Sequence, residues 1–214
     1  MTQHATGPHV PRATPPAPRT QALRLCSVGL LTLLVRVALA AEPFPARAAV
    51  YFSPHGGATD AVVREINAAT QQILVQAYSF TSTPIAKALI EAHKRGVPIL
   101  AVLDKSNETQ KYSAATFLVN AGIQTLIDDQ HAIAHNKVIV IDTTTVITGS
   151  FNFTKAAEEK NAENLLVITE APALVQAYAA NVQAHAAHAH PYKRQTAPTP
   201  APTPLSAATG DSVG

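Results

Sequence analysis

The sequence predicts an α/β fold, a mixed, largely parallel sheet sandwiched between helices in a single domain. Three observations lead there. Short apolar runs rich in β-branched residues alternate with stretches of helical period between residues 46 and 193. That span has the size of one ordinary domain. The flanks on either side have compositions that cannot build a core.

Each element has its own local reason. Ala49–Phe52 is a short apolar strand, and Asp60–Ala69 places Val62, Ile66 and Ala69 on one helical face. Gln72–Tyr78 reads as a strand. The helix after it begins with Thr83 as cap and Pro84 in its first turn, and Gly96 closes it. Pro98–Leu103 is the next strand, Ser113–Ala121 a helix and Gln124–Ile127 a short strand. Lys137–Ile141 and Val146–Thr148 are strands joined by a tight connection through DTTT. Leu165–Thr169 is a further strand, ahead of an alanine-rich helix from Ala173 to about His188. The stretch 137–169 is open to local antiparallel pairing, hence a mixed sheet.

Residues 1–40 read as an export signal with a long n-region. Leu25–Val35 is apolar, Arg36 interrupts it, and Ala38, Ala40 and Ala41 offer a small-residue cleavage site, favoured after Ala40. An uncleaved anchor is the alternative. The expectation is an exported bacterial protein, periplasmic or secreted. Residues 195–214 are rich in Pro, Thr and Ala and are expected to be disordered. Between Glu42 and Arg194 there are 12 Lys and Arg against 13 Asp and Glu, a net charge of −1. So balanced a body argues against a protein that coats nucleic acid through a broad basic face, but leaves a local phosphate site open. The single Cys26 excludes an intramolecular disulfide and a multi-cysteine zinc site.

Chemistry is concentrated in residues 135–168. His135 and Lys137 stand two apart at the head of a strand and share a face. Asp142 closes that strand, and the next strand runs into Gly149, Ser150, Phe151 and Asn152. If the two strands are antiparallel neighbours, an imidazole, an ammonium, a hydroxyl and an amide meet at one sheet edge, where open α/β sheets place their ligands. A phosphodiester suits these groups: its anionic oxygens can be held by Lys137, Ser150 and Asn152, and its phosphorus can be attacked by an imidazole nitrogen. Glu163 is placed to accept from the other imidazole nitrogen and fix the tautomer.

The pattern H-x-K-x4-D-x6-G-S-x-N resembles the signature of the phospholipase D superfamily. The surrounding AYSFT at Ala77–Thr81 and GSFNFTKAAEEKNAEN at 149–164 are similar to its small, single-motif bacterial endonucleases. Six fixed residues at fixed spacing arise by chance at roughly one in 10^7–10^8 positions, so the motif is specific where H-x-K alone is not. The resemblance implies a phospholipase D-like fold and a metal-independent phosphodiesterase with no cofactor, and it extends over roughly 46–185. His135 is implied as the nucleophile that forms a covalent phosphohistidine. The superfamily builds one site from two motif copies, and this chain holds one, so the resemblance implies a homodimer joined across the active-site face. His135 of the second protomer then serves as general acid and base. Lys137 and Asn152 bind phosphate oxygens, Ser150 hydrogen-bonds nearby and Glu163 orients His135. Two imidazoles facing one phosphate titrate as a coupled pair, so the rate is expected to peak between two macroscopic values around neutrality. The substrate expected is DNA or RNA; phospholipid headgroups are the alternative, and a nucleic-acid-binding protein that does not cut is a further one.

Several residues carry plainer readings. Asp142 at a strand end is better suited to hydrogen-bonding backbone or lysine groups that shape the site than to chemistry, Gly149 suits backbone geometry or close approach, and an ordinary surface carboxylate is the plainer alternative for Glu163. His131 and His135 share no helical face, so their spacing is not that of a metal pair. His185, His188 and His190 read as a solvated helix end, with adventitious metal binding the alternative, and Tyr78 and Phe80 as packing behind the site, with stacking on a base the alternative.

Overall fold

β-Branched runs separated by turn residues give eight strands and six helices in a computed structural model that describes residues 45–193 except Lys111. The expected leader and the Pro-rich tail lie outside the described residues. In chain order the elements are β1 (Arg47–Ser53), α1 (Ala58–Ala68), β2 (Ile73–Ala77), α2 (Thr83–Lys94), β3 (Ile99–Asp104), α3 (Ser106–Thr109) and α4 (Ala115–Asn120). There follow β4 (Gln124–Asp128), β5 (Lys137–Ile141), β6 (Thr145–Gly149), α5 (Lys155–Glu159), β7 (Glu163–Thr169), α6 (Pro172–Ala186) and β8 (His190–Pro191). The short α3, α5 and β8 were not expected from sequence, being too brief to show a period. At α2, Ser82 takes the N-cap position and Thr83 begins the helix, with Pro84 in its first turn.

The strands form one sheet in the order β1-β7-β6-β5-β2-β3-β4-β8. It is a mixed α/β sheet, as expected, but the parallel part is confined to β2, β3 and β4. The other pairings are antiparallel. Connection length explains the division: a parallel neighbour needs a crossover, which α2 and α3–α4 supply, whereas residues 142–144 suffice to turn β5 into β6.

Helices cover both faces. On one, Val75, Ile139, Ile147 and Val167 pack with Val62 and Ile66 of α1, Leu89 of α2 and Leu118 of α4. On the other, Leu74, Val102, Val138, Val140 and Val146 pack with Val175 and Val182 of α6. The central strands β2 and β5 are buried along their whole length, which is why they read as unbroken apolar runs. Phe80 and Phe153 are fully buried and meet edge to face, centroids 5.9 Å apart. Truncating either to Ala would cost about 3–5 kcal/mol.

Register then decides what meets at the edge. Lys137 lies opposite Ala77, the last residue of β2, and Ile139 opposite Ile147. Gly149 lies opposite Leu165, and Ser53 opposite Glu163. The start of β5, the end of β6 and the start of β7 therefore share the edge reached by the C-terminal ends of β2, β3 and β4.

Candidate active site

At that edge His135, Lys137, Gly149, Ser150, Asn152 and Glu163 line an open cleft of about 370 Å³. Size does not single it out: a hollow of about 430 Å³, lined by Gln72, Leu74, Pro98 and Leu126 among others, holds no titratable side chain. The chemistry of the lining does. Five of the six residues expected at the site, all but Asp142, are brought together here.

His135 is exposed and its ring rests on Tyr78, centroids 4.6 Å apart and planes tilted by 58°. The Tyr78 amide donates to the Asn136 carbonyl at 2.8 Å, fixing the end of β2 to the residues leading into β5. Lys137 is buried; its Nζ donates to the His135 carbonyl at 3.0 Å and lies 5.2 Å from the centre of the Tyr78 ring. Burial lowers the Lys137 pKa, and the Glu163 carboxylate opposes that shift. Tyr78 thus packs behind the site as expected, but against both catalytic candidates at once.

Ser150 Oγ accepts from the Asn164 amide at 3.0 Å and from Asn164 Nδ2 at 3.3 Å. With both lone pairs engaged, what remains for a ligand is the hydroxyl proton, a donor suited to an anion. Asn152 is half-buried, and its Oδ1 has no hydrogen-bond partner among the described residues. That oxygen is buried, and only the Nδ2 of this side chain can donate to an anion. Glu163 is half-buried and accepts from Asn161 Nδ2 at 3.2 Å, while its amide donates to Ser53 Oγ at 3.2 Å. In this chain the carboxylate is bonded to Asn161, not to His135.

Gly149 answers to close approach. Its φ is 147°, and a Cβ there would lie 2.3 Å from the Asn164 carbonyl oxygen. That oxygen accepts from the amides of Ser150 and Phe151, both at 3.1 Å, so the glycine lets β7 brace the turn that presents Ser150.

Asp142 is not part of the cleft, a correction to its place among the expected catalytic residues. It lies beyond the far end of β5, about 16 Å of strand from the cleft. There its carboxylate accepts from the amides of Thr70, Gln71 and Gln72 and from the Thr70 hydroxyl, at 2.7–3.2 Å. Burial raises its pKa, but these donors outweigh burial and hold it below the usual carboxylate range. Asp142 organises the β2 approach.

Three supporting residues leave no sign in the sequence. Asp104 Oδ2 accepts from the Ala134 amide at 2.8 Å, Lys105 Nζ donates to the His131 carbonyl at 2.9 Å, and Asn107 Nδ2 donates to the Tyr78 carbonyl at 2.7 Å. The first two pin the segment before His135 and the third holds Tyr78 beneath it, all too far away in sequence for spacing to reveal. The reading of His185 and His188 as a solvated helix end is also corrected: both turn inward to Asp128, as does His131.

Comparison with known proteins adds an independent line. A family profile described as "Cardiolipin synthase, PLD-like domain" matches residues 62–186, more than half of the chain. A protein named phospholipase D from Rickettsia conorii is 41% identical over 155 residues, covering 72% of this chain and 77% of its own. A namesake from Rickettsia bellii is 47% identical over 120 residues, covering 56% of this chain and 60% of its own length. Among solved structures, Nuc, a phospholipase D family member from Salmonella typhimurium, is 40% identical, with a TM-score of 0.67 over 70% of this chain and all of that one. Sequence motif, sheet topology and profile converge, and the chain belongs to the phospholipase D superfamily.

Proposed function

We propose that this chain is a phosphodiesterase that cleaves nucleic acid with little sequence preference, as an endonuclease, through a covalent phosphohistidine in a homodimeric site. The observation that carries the reading is the cleft itself: an exposed imidazole, a buried ammonium, a hydroxyl with only its proton to offer and the Asn152 side chain line one polar hollow. These groups complement a phosphate and nothing about them favours a neutral substrate.

In this mechanism a nitrogen of His135 attacks phosphorus, forming the N–P bond as the P–O bond to the leaving oxygen breaks. His135 of the partner subunit gives that oxygen its proton. The same imidazole then takes a proton from water, whose oxygen attacks phosphorus and releases His135. Lys137, Ser150 and Asn152 hold the equatorial oxygens throughout, and Glu163 must turn from Asn161 to orient the imidazole. No step uses a metal ion.

A lipid substrate would favour an apolar rim for acyl chains. Phe151 and Phe153, the aromatic residues nearest in sequence to the site, are buried at 1% and 0% exposure and belong to the core. Ile133 is exposed in the loop before β5, and the exposed Val50 and Phe52 share one face of β1, but none of the three lines the cleft. This supports a polyanion over a phospholipid, although the Rickettsia relatives carry the name phospholipase D.

The test is cleavage of plasmid DNA, single-stranded DNA and RNA by the full chain, beside headgroup release from phosphatidylcholine and cardiolipin vesicles, each repeated with His135→Ala. We expect nucleic-acid cleavage that the substitution abolishes. Headgroup release dependent on His135, with nucleic acid left intact, would overturn the endonuclease reading and keep the phosphodiesterase.

A further inference from the structure

We propose that Asp128, His131, His185 and His188 form a binding site for one divalent ion of the zinc class, which fastens the end of α6 to the segment leading into His135. The four residues come from three places in the chain. Asp128 is the last residue of β4, His131 follows in the next loop, His185 lies in the last turn of α6 and His188 just beyond it. They offer one ligand atom each, all within 4.8 Å of one another.

The distances fit a small tetrahedral ion. Asp128 Oδ2 lies 2.6 Å from His185 Nδ1 and 3.0 Å from His131 Nδ1, and Asp128 Oδ1 lies 3.3 Å from His188 Nε2. Zinc held tetrahedrally at ~2.0–2.1 Å puts its ligand atoms ~3.3–3.4 Å apart, so seating the ion needs shifts well within side-chain freedom. Three imidazoles and one carboxylate are donors of the kind zinc takes, and four protein ligands close the sphere, as in structural sites.

Hydrogen bonding alone leaves the cluster crowded, because the Gln130 amide also donates to Asp128 Oδ1, at 3.1 Å. The Asp128 carboxylate is fully buried, and three rings crowd it with centroids 4.8–5.5 Å apart. Each imidazole would have to aim a proton at the same two oxygens. A doubly charged ion instead accepts a lone pair from every nitrogen and from the carboxylate together, and it compensates the buried negative charge. The spacing is also ordered: His185 and His188 are three apart at a helix end and so share a face, and Asp128 and His131 are likewise three apart.

Position gives the ion a task. His131 precedes His135 by four residues, and its carbonyl is already held by Lys105. A tether at His131 would fix one end of a segment whose other end carries the cleft imidazole. Its role is positioning, with no part in bond breaking.

The test uses the untagged full chain, stripped with chelator, dialysed and titrated with Zn2+ and, separately, with Co2+. We expect one equivalent of either ion, a visible Co2+ absorption of tetrahedral intensity and a rise in Tm with Zn2+. His131 and His188 are 45% and 38% exposed, so His131→Gln and His188→Gln should fold as the parent does. Each should weaken binding by more than about 100-fold, the upper end of what losing a mere supporting partner costs. His190→Gln, outside the set of four, should leave the affinity unchanged. Absence of stoichiometric binding, an octahedral Co2+ spectrum, or equal affinity in the His131→Gln/His188→Gln double variant would overturn the proposal. None of these readouts depends on cleavage, so the outcome is separate from that of the nuclease assay.

Discussion

Lys137 Nζ donates its 3.0 Å hydrogen bond to the carbonyl of His135, so the buried ammonium is positioned by the backbone of the residue that carries the cleft imidazole. Burial disfavours this charge in the folded chain. Lys137→Met keeps the stem and removes the charge. We expect kcat to fall about 10²–10³-fold, as when one electrostatic stabiliser is lost, with Tm unchanged or higher. A large drop in Tm alongside the lost activity would mean that Lys137 serves the fold instead of the phosphate.

Asp142 should behave in the opposite way. Asp142→Ala leaves the amides of Thr70, Gln71 and Gln72 without their acceptor and should cost about 2 kcal/mol, several degrees in Tm. In the folded fraction kcat should be that of the parent. A loss of kcat with Tm intact would return Asp142 to the chemistry.

The same carboxylate sets a pH dependence. Its folded pKa is lowered, so the unfolded chain binds the proton more tightly, and its contribution to stability is complete above the unfolded value of about 3.9. That contribution is lost as the pH falls through the folded value. Thermal melts of the parent and of Asp142→Asn should therefore converge on acidification. A Tm gap that stayed constant from neutrality to roughly pH 3 would contradict the assignment.

At Gly149 the expectation is steric. Gly149→Ala places a methyl 2.3 Å from a backbone oxygen, so β6 and β7 must separate where they present Ser150 and Glu163. Tm and kcat should fall together, with a loss of stability above the roughly 1 kcal/mol of an ordinary Gly-to-Ala conflict.

If each site takes one His135 from either protomer, mixtures of wild type and His135→Ala, allowed to exchange subunits, should lose activity as the square of the wild-type fraction. At equal amounts that is about one quarter of the undiluted rate. A linear dependence would show that each protomer cuts alone.

Most of the cleft was legible in sequence because strand geometry is regular. A period of two puts His135 and Lys137 on one side, and a tight β5–β6 connection returns the chain so that Ser150 and Asn152 reach the same edge. Asp142 was misplaced for the same reason: it belongs to the same motif, but five strand residues separate it from the edge where the chemistry lies. The histidines at the end of α6 stand out in sequence, but not their meeting with Asp128, because 57 residues part Asp128 from His185 and only the return of α6 along the sheet joins them. Spacing reveals pairs within an element; it says nothing of pairs made by tertiary packing.

The turn at Thr143 and Thr144 is exposed and lies at the edge away from the cleft. Cys26 is the only thiol in the sequence. A Thr143→Cys substitution, in a chain with Cys26 replaced by Ser, would therefore provide a single attachment point for coupling the protein to a bead or sensor surface, with its cleft facing the solution.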